Sequence, residues 1–338
     1  MSGGRRRRWP ATGRRGFTDP RAHLWLSLIV IGRSTICALT TEGKQTQKRI
    51  WLLLCLLLAP LSALAGKEIK VDNSVMTMRI DGEIAIDTAG KVLDYKITTP
   101  STPEMQQILD KSVRRWTFQP VVLEGKPVAA KSRMRITLAA REARNGYAVS
   151  VDNVTFRGDP GGEAAPSATE GVPVSIATGV MRPPLYPKNL ARGGVEAAVL
   201  LYLKLSLDGS VEQAIAVQSS LFDVRGSANI VAQARKQFED SALSAARRWK
   251  FAVTARSTTP TASDLTVSVP VQYTMVNHAN RDETGSWRVE LRSEKNIVPW
   301  LVDATDAQDI GISDVDTNDV LSIASAFKLN TDVVGKAL

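Results

Sequence analysis

Arg247-Arg248-Trp249-Lys250-Phe251 repeats Arg114-Arg115-Trp116-Thr117-Phe118 with a change at the fourth position only, and each pentapeptide closes a segment of helical periodicity. Such a repeat marks an internal duplication, so the rest of the chain is read by looking for the remainder of each copy. Met105, Ile108, Leu109, Val113 and Trp116 form one apolar stripe at helical spacing, and Phe238, Ala242, Ala245, Ala246 and Trp249 form its counterpart. Ser101 and Glu104 are spaced as a capping box at the start of the first stripe, with Pro103 suited to a first turn.

Upstream of each helix lies a hairpin signal: Ile84-Ala-Ile-Asp-Thr-Ala-Gly90-Lys-Val92 in the first copy, Leu203-Lys-Leu-Ser-Leu-Asp-Gly209-Ser-Val211 in the second. Asp208-Gly209 between alternating runs is a strong cue, because glycine takes the positive φ that a tight turn demands; Ala89-Gly90 is its weaker form. Val199, Leu201, Leu203, Leu205 and Leu207 alternate with Leu200, Tyr202, Lys204 and Ser206, which predicts a strand with one face more deeply buried. A further strand follows each helix, at Met134–Leu138 and Leu265–Tyr273. The pattern predicts an α+β fold of two small domains, each an antiparallel sheet (strand-strand-helix-strand) with a helix packed on one face. Trp116, Phe118, Trp249 and Phe251 are the expected core closures, and Gly90 and Gly209 the turn residues.

Working outward, the first domain spans 66–145 in degenerate form and the second spans 183–278. Between them, 146–182 reads as a strand at Tyr147–Phe156 and a linker rich in Gly, Pro, Ala and Ser. Residues 279–338 are an acidic tail with a strand at Trp287–Leu291 and a helix near Asn318–Lys328 as its candidate elements.

The net charge of +9 is carried by the leader: residues 1–65 hold 11 of the 43 Lys+Arg against Asp19 and Glu42, and the remainder is balanced, which argues against a nucleic-acid partner. Lys48-Arg49, the apolar run from Ile50 and Ala63-Leu64-Ala65 read as a signal peptide over 48–65, with export to the periplasm and a mature start near Gly66. The alternative is an uncleaved inner-membrane anchor facing the periplasm, although Ile50–Ala65 contains Pro60 and falls short of the roughly 20 residues that a span needs. Residues 1–47 read as a non-native extension, from a start site set too early, or as a disordered one.

Composition that is 43% hydrophobic and 23% charged is that of a globular chain and excludes general disorder. Both cysteines, Cys37 and Cys55, precede Gly66, and His278 is the one histidine beyond it, so no triad, Cys–His pair or zinc site can be assembled. The chain reads as non-enzymatic, without cofactor or metal. Asp314-Val315-Asp316-Thr317-Asn318 is spaced like the start of a calcium loop, but Asp319 stands where glycine belongs and Ser325 where the bidentate glutamate belongs. Helix capping accounts for it better.

Pro184-Leu-Tyr186-Pro187, Gly194-Val-Glu196, the Val199–Leu207 strand, Asp208-Gly209-Ser-Val211 and Ala242…Ala245-Ala246-Arg247-Arg248-Trp249-Lys-Phe251 resemble, in that order, the C-terminal domain of the TonB family of energy transducers. The first copy resembles the same domain through Gly90-Lys-Val92, Ser112-Val113-Arg114-Arg115-Trp116-Thr-Phe118-Gln-Pro120 and Gly125-Lys126-Pro127, without a Tyr-Pro motif at its start. The resemblance implies a protein-binding module in transmembrane transport, whose sheet edge accepts a segment of an outer-membrane TonB-dependent receptor, or of another envelope protein, as an added strand. It places the binding edge on the last strand, with Leu265, Val267, Val269, Val271 and Tyr273. Tyr186-Pro187 is either a turn that seats the domain or a partner contact. Pro270 removes one donor, so it fits only where no ladder bond is needed. The other reading is an envelope assembly protein whose two domains pair with each other. Membrane association follows only if the leader stays uncleaved, and the sequence leaves the oligomeric state open.

Overall fold

The computed structural model describes residues 74–337 apart from 145, 158–172, 223, 225, 258, 276–282 and 318. The signal peptide, both cysteines and His278 fall outside these residues.

The first copy runs β1 (Ser74–Ile86), β2 (Val92–Ile97), α1 (Pro103–Val113), a short hairpin of β3 (Val121–Leu123) and β4 (Lys126–Val128), then β5 (Ala130–Ala143). β6 (Gly146–Arg157) and β7 (Val174–Thr178) lead to α2 (Lys188–Arg192). The second copy runs β8 (Glu196–Leu205), β9 (Val211–Phe222), α3 (Ala228–Ala246), β10 (Phe251–Ala255) and β11 (Thr266–Tyr273). The tail contributes β12 (Arg288–Arg292) and β13 (Leu321–Ser322).

The duplication is visible in the geometry. Each copy sets its second strand and its post-helix strand on either side of its first, β2-β1-β5 and β9-β8-β11, all antiparallel. Gly90 and Gly209 sit at φ +79° and +78°, and each hairpin carries a bulge where the strand leaves the turn, between Ala85 and Ile86 and between Lys204 and Leu205. Leu109, Val113, Trp116 and Phe118 are buried in one core, and Phe238, Ala242, Ala246, Trp249 and Phe251 in the other. Ile108 departs from the expected stripe and is 38% exposed. The α1 cap also differs: Thr102, one residue after Ser101, accepts from the Met105 amide at 3.3 Å.

The expectation of two separate sheets is corrected. Among the described residues the strands of both copies form one nine-stranded antiparallel sheet, ordered β13-β11-β8-β9-β12-β1-β5-β6, with β2 also on β1. The join is β12, which pairs Arg288–Leu291 with Thr77–Ser74 on one side and Leu291 and Arg292 with Leu221 and Ser220 on the other. A strand that satisfies both of its own edges in this way leaves neither copy free to end its sheet there.

The acidic tail has a physical role that the sequence did not reveal. On the face of the second copy away from α3, Ile310, Ile312, Val315 and Ile323 pack on Ala198, Leu200 and Tyr202, so β8 is buried on both faces instead of one. On the corresponding face of the first copy the tail's carboxylates meet buried arginines. Asp316 pairs with Arg79 at 2.5 Å and Arg135 at 2.7 Å, and Asp319 with Arg157 at 2.7 Å. Burial pushes the Asp316 carboxyl up, but the hydrogen bond and charge of Arg135, with Arg79 and Arg157, hold it below its usual range. The helix expected near Asn318–Lys328 does not form; backbone groups of the segment bond outward instead, the Ile323 carbonyl accepting from the Gln308 amide and the Ile323 amide donating to the Thr266 carbonyl. The Asp314 carboxylate accepts from the Gly311 amide at 2.7 Å, a capping bond at a short 3-10 turn, Ile312–Asp314. The linker expected from Arg157 onward contains a strand, since β7 pairs with β10.

Candidate strand-addition edges

The residues expected to meet a partner are mostly core. Val267, Val269, Val271 and Tyr273 point into the cluster under α3, all at most 5% exposed. The Tyr273 hydroxyl donates to the Phe238 carbonyl at 3.1 Å, and burial pushes its pKa up to about 12. Leu265 lies just before β11 and accepts from the Leu205 amide at 2.8 Å. Tyr186 is seated as well: its hydroxyl donates to the Val195 carbonyl at 2.7 Å and its ring meets Phe238 and Tyr273 edge-on. Pro187 caps α2. The turn that seats the domain is therefore the role this geometry gives Tyr186-Pro187.

The Leu205–Leu265 bond fixes which backbone groups of β11 face outward. In an antiparallel ladder hydrogen-bonded and non-bonded pairs alternate, so Val267, Val269, Val271 and Tyr273 bond to β8 while Thr266, Ser268, Pro270 and Gln272 present their groups to the outer edge. Pro270, opposite Leu200, thus stands where the ladder to β8 needs no donor. That outer edge is already partly filled: β13 pairs with Val267 and Ser268, and the Ile323 amide donates to the Thr266 carbonyl at 3.3 Å.

The post-helix strand of the first copy is covered more fully, because β6 pairs along β5 from Arg133 to Ala143. The outer edge of β6 is in turn capped by the tail, where the Gly335 amide donates to the Val151 carbonyl at 2.7 Å and the Val151 amide to the Lys336 carbonyl at 3.0 Å. The Gln308 side chain closes the far end, accepting from the Phe156 amide and donating to its carbonyl. Exposed ladder groups invite foreign strands, and the chain's own segments occupy those of β5 along its length and those at the start of β11.

A scan of known protein families and searches of characterised proteins and of solved structures find no match to this chain.

A further edge, that of β2, is open. Among the described residues β2 pairs with β1 alone. Thr117 and Phe118 close the start of the strand, the Phe118 amide donating to the Gly90 carbonyl, so the open stretch is Leu93–Ile97. The Thr98 amide bonds inward to the Asp81 carbonyl at 2.9 Å, and by alternation Tyr95 and Ile97 point their N–H and C=O outward. Leu93 is 61% exposed. Beside the strand runs a groove of about 570 Å³, lined by Tyr95, Ile97, Gln106, Gln107, Asp110 and Arg114. Its floor is fixed: the Tyr95 hydroxyl donates to the Asp110 carboxylate, which also accepts from Arg114 Nε at 2.9 Å, and the guanidinium sits 5.2 Å from the Tyr95 ring centre. Burial and the Asp110 carboxylate push the Tyr95 hydroxyl up to about 12, so it stays a donor at neutral pH. Sequence reasoning missed this edge because β2 is short, exposed and weakly patterned.

Among the described residues no group of three or more His, Cys, Asp or Glu is placed to hold a metal ion, and no helix is long and apolar enough to cross a membrane.

Proposed function

We propose that this chain is a non-enzymatic protein-binding module of the cell envelope, built on two TonB-C-terminal-like repeats, that takes up an extended protein segment by strand addition at the outer edge of β2. The observation that carries the reading is the unpaired stretch Leu93–Ile97 of the nine-stranded sheet, in which the chain itself covers the post-helix strand of the first copy along its length and that of the second in part. An added strand there gains main-chain hydrogen bonds from Tyr95 and Ile97, and the Tyr95–Asp110–Arg114 groove offers selectivity to its side chains. The resemblance supplies the partner class: an outer-membrane TonB-dependent receptor or another envelope protein, met in the periplasm after export, in the service of transmembrane transport. The edge differs from the last-strand edge that the resemblance implies, because β6 occupies that position in the first copy and β13 the start of it in the second.

Titration with peptides from periplasm-facing segments of co-resident receptors, followed by hydrogen exchange, tests the reading. Protection of the Tyr95 and Ile97 amides is expected; no protection by any segment overturns it.

The assembly-protein reading, in which the two repeats pair with each other, is favoured by one observation. β12 joins their strands in a single sheet, so the pairing of repeats is built into the chain. In that reading the module presents both repeats as one rigid platform.

A further inference from the structure

We propose that a second copy of this chain occupies the β2 edge, giving a two-fold dimer in which the two β2 strands run antiparallel and cross at Tyr95. The inference rests on the reading that β2 is open to strand addition; self-pairing protects the same Tyr95 and Ile97 amides, so a receptor segment competes with the second copy and its protection is read at dilution, where the copies separate.

Three features of the strand select this partner. First, the outward-facing backbone groups belong to Tyr95 and Ile97, and a two-fold axis at Tyr95 sets the N–H and C=O of each Tyr95 against those of the other. The apolar residues Leu93 and Ile97 then fall opposite each other across the copies. Second, the same axis places Asp94 of each copy opposite Lys96 of the other, in the closely spaced, non-hydrogen-bonded positions where cross-strand charges interact best. Both side chains are exposed, and neither makes an ion pair among the described residues. Third, the charges forbid the neighbouring registers. Shifting the pairing by one step of the ladder sets Asp94 against Asp94, or Lys96 against Lys96, and like charges directly opposite are destabilising. Charges on an edge strand ordinarily repel a foreign strand; here their order, acid then base two residues on, repels the two adjacent antiparallel registers and favours the one between them.

Sedimentation velocity of the purified full chain over roughly 1–100 µM tests the proposal. The expected species is a dimer. Asp94→Lys, which sets two cations against each other on either side of the axis, raises the dimer dissociation constant about ten-fold or more by replacing two attractive pairs with two repulsive ones. The swap Asp94→Lys with Lys96→Asp restores it. Both positions are exposed, and Lys96 stands opposite Glu83 in the β1–β2 register, so circular dichroism and the urea midpoint check that each variant folds before association is compared; the rescue separates β2 pairing from any association through the leader. A monomer throughout the range, an unaffected Asp94→Lys dimer, or a swap that fails to restore association overturns the dimer. If receptor peptides still protect the Tyr95 and Ile97 amides in that event, only self-pairing falls; if they do not, the binding edge falls with it.

Discussion

The Phe251 amide donates to the Gly209 carbonyl at 2.9 Å, drawing the second residue after the helix-closing tryptophan back onto the hairpin turn. The first copy makes the same bond from Phe118 to Gly90 at 2.8 Å. Each turn glycine is therefore held from two directions, by its own positive φ and by the strand that closes over it. A Cβ on Gly209 would lie 1.9 Å from the Phe251 carbonyl oxygen, and on Gly90 2.1 Å from that of Phe118.

Gly209→Ala is accordingly expected to destabilise the fold by about 1–3 kcal/mol from backbone strain alone, and more from the clash. Urea unfolding followed by tryptophan fluorescence measures it. Gly125→Ala, at the same φ but with open space around it, isolates the strain from the clash and should cost less. Equal losses at the two positions would contradict the account.

Neighbouring positions of β11 should respond oppositely to proline chemistry. Pro270→Ala adds a donor on the outer edge and changes stability by no more than about 1 kcal/mol, through the unfolded chain. Val271→Pro removes the bond to Val199 and orphans a buried carbonyl, costing about 1–3 kcal/mol before strain is counted. Denaturation midpoints of the two variants give the comparison.

Acid should weaken the join between the repeats. Glu290 on β12 is buried and accepts from Thr77 at 2.8 Å and from Ser220 and Ser313 at 2.5 Å. Burial raises its pKa, but Arg288, the hydroxyls of Ser220 and Ser313, and Arg292 overcome that and hold it low. Its ionisation therefore favours the folded state above the unfolded carboxylate's value of about 4.3, and the contribution disappears as pH falls through the lower folded value. Asp316 acts in the same sense. The urea midpoint is expected to hold near neutrality and fall below about pH 5, with a shallower fall in Glu290→Gln, which starts from a lower midpoint.

Removing residues 306–338 should uncover the face of Ala198, Leu200 and Tyr202 and strip Arg79 and Arg135 of both Asp316 and the tail carbonyls that bond them. With that apolar face in water, the truncated chain is expected to aggregate or to bind a hydrophobic dye. A soluble chain of unchanged stability would show that the tail is only appended. Asp316→Asn, which keeps the apolar packing, gives the ionic part alone.

Local pattern made the repeats legible. The two Arg-Arg-Trp pentapeptides, the glycine turns, the apolar stripes and the position of Pro270 all depend on spacing along a few residues, where backbone geometry ties sequence to structure directly. The α+β class and the pairing of strands within each copy followed from them. The tertiary structure alone decided that β12 joins both copies into one sheet, that the tail's aspartates meet arginines far off in sequence, and that the last-strand edges are covered wholly in one copy and in part in the other while β2 is open. Those are choices among distant partners. An edge strand carries the same sequence whether its outer groups meet water or another segment, so only the folded chain reveals which edge remains to be used.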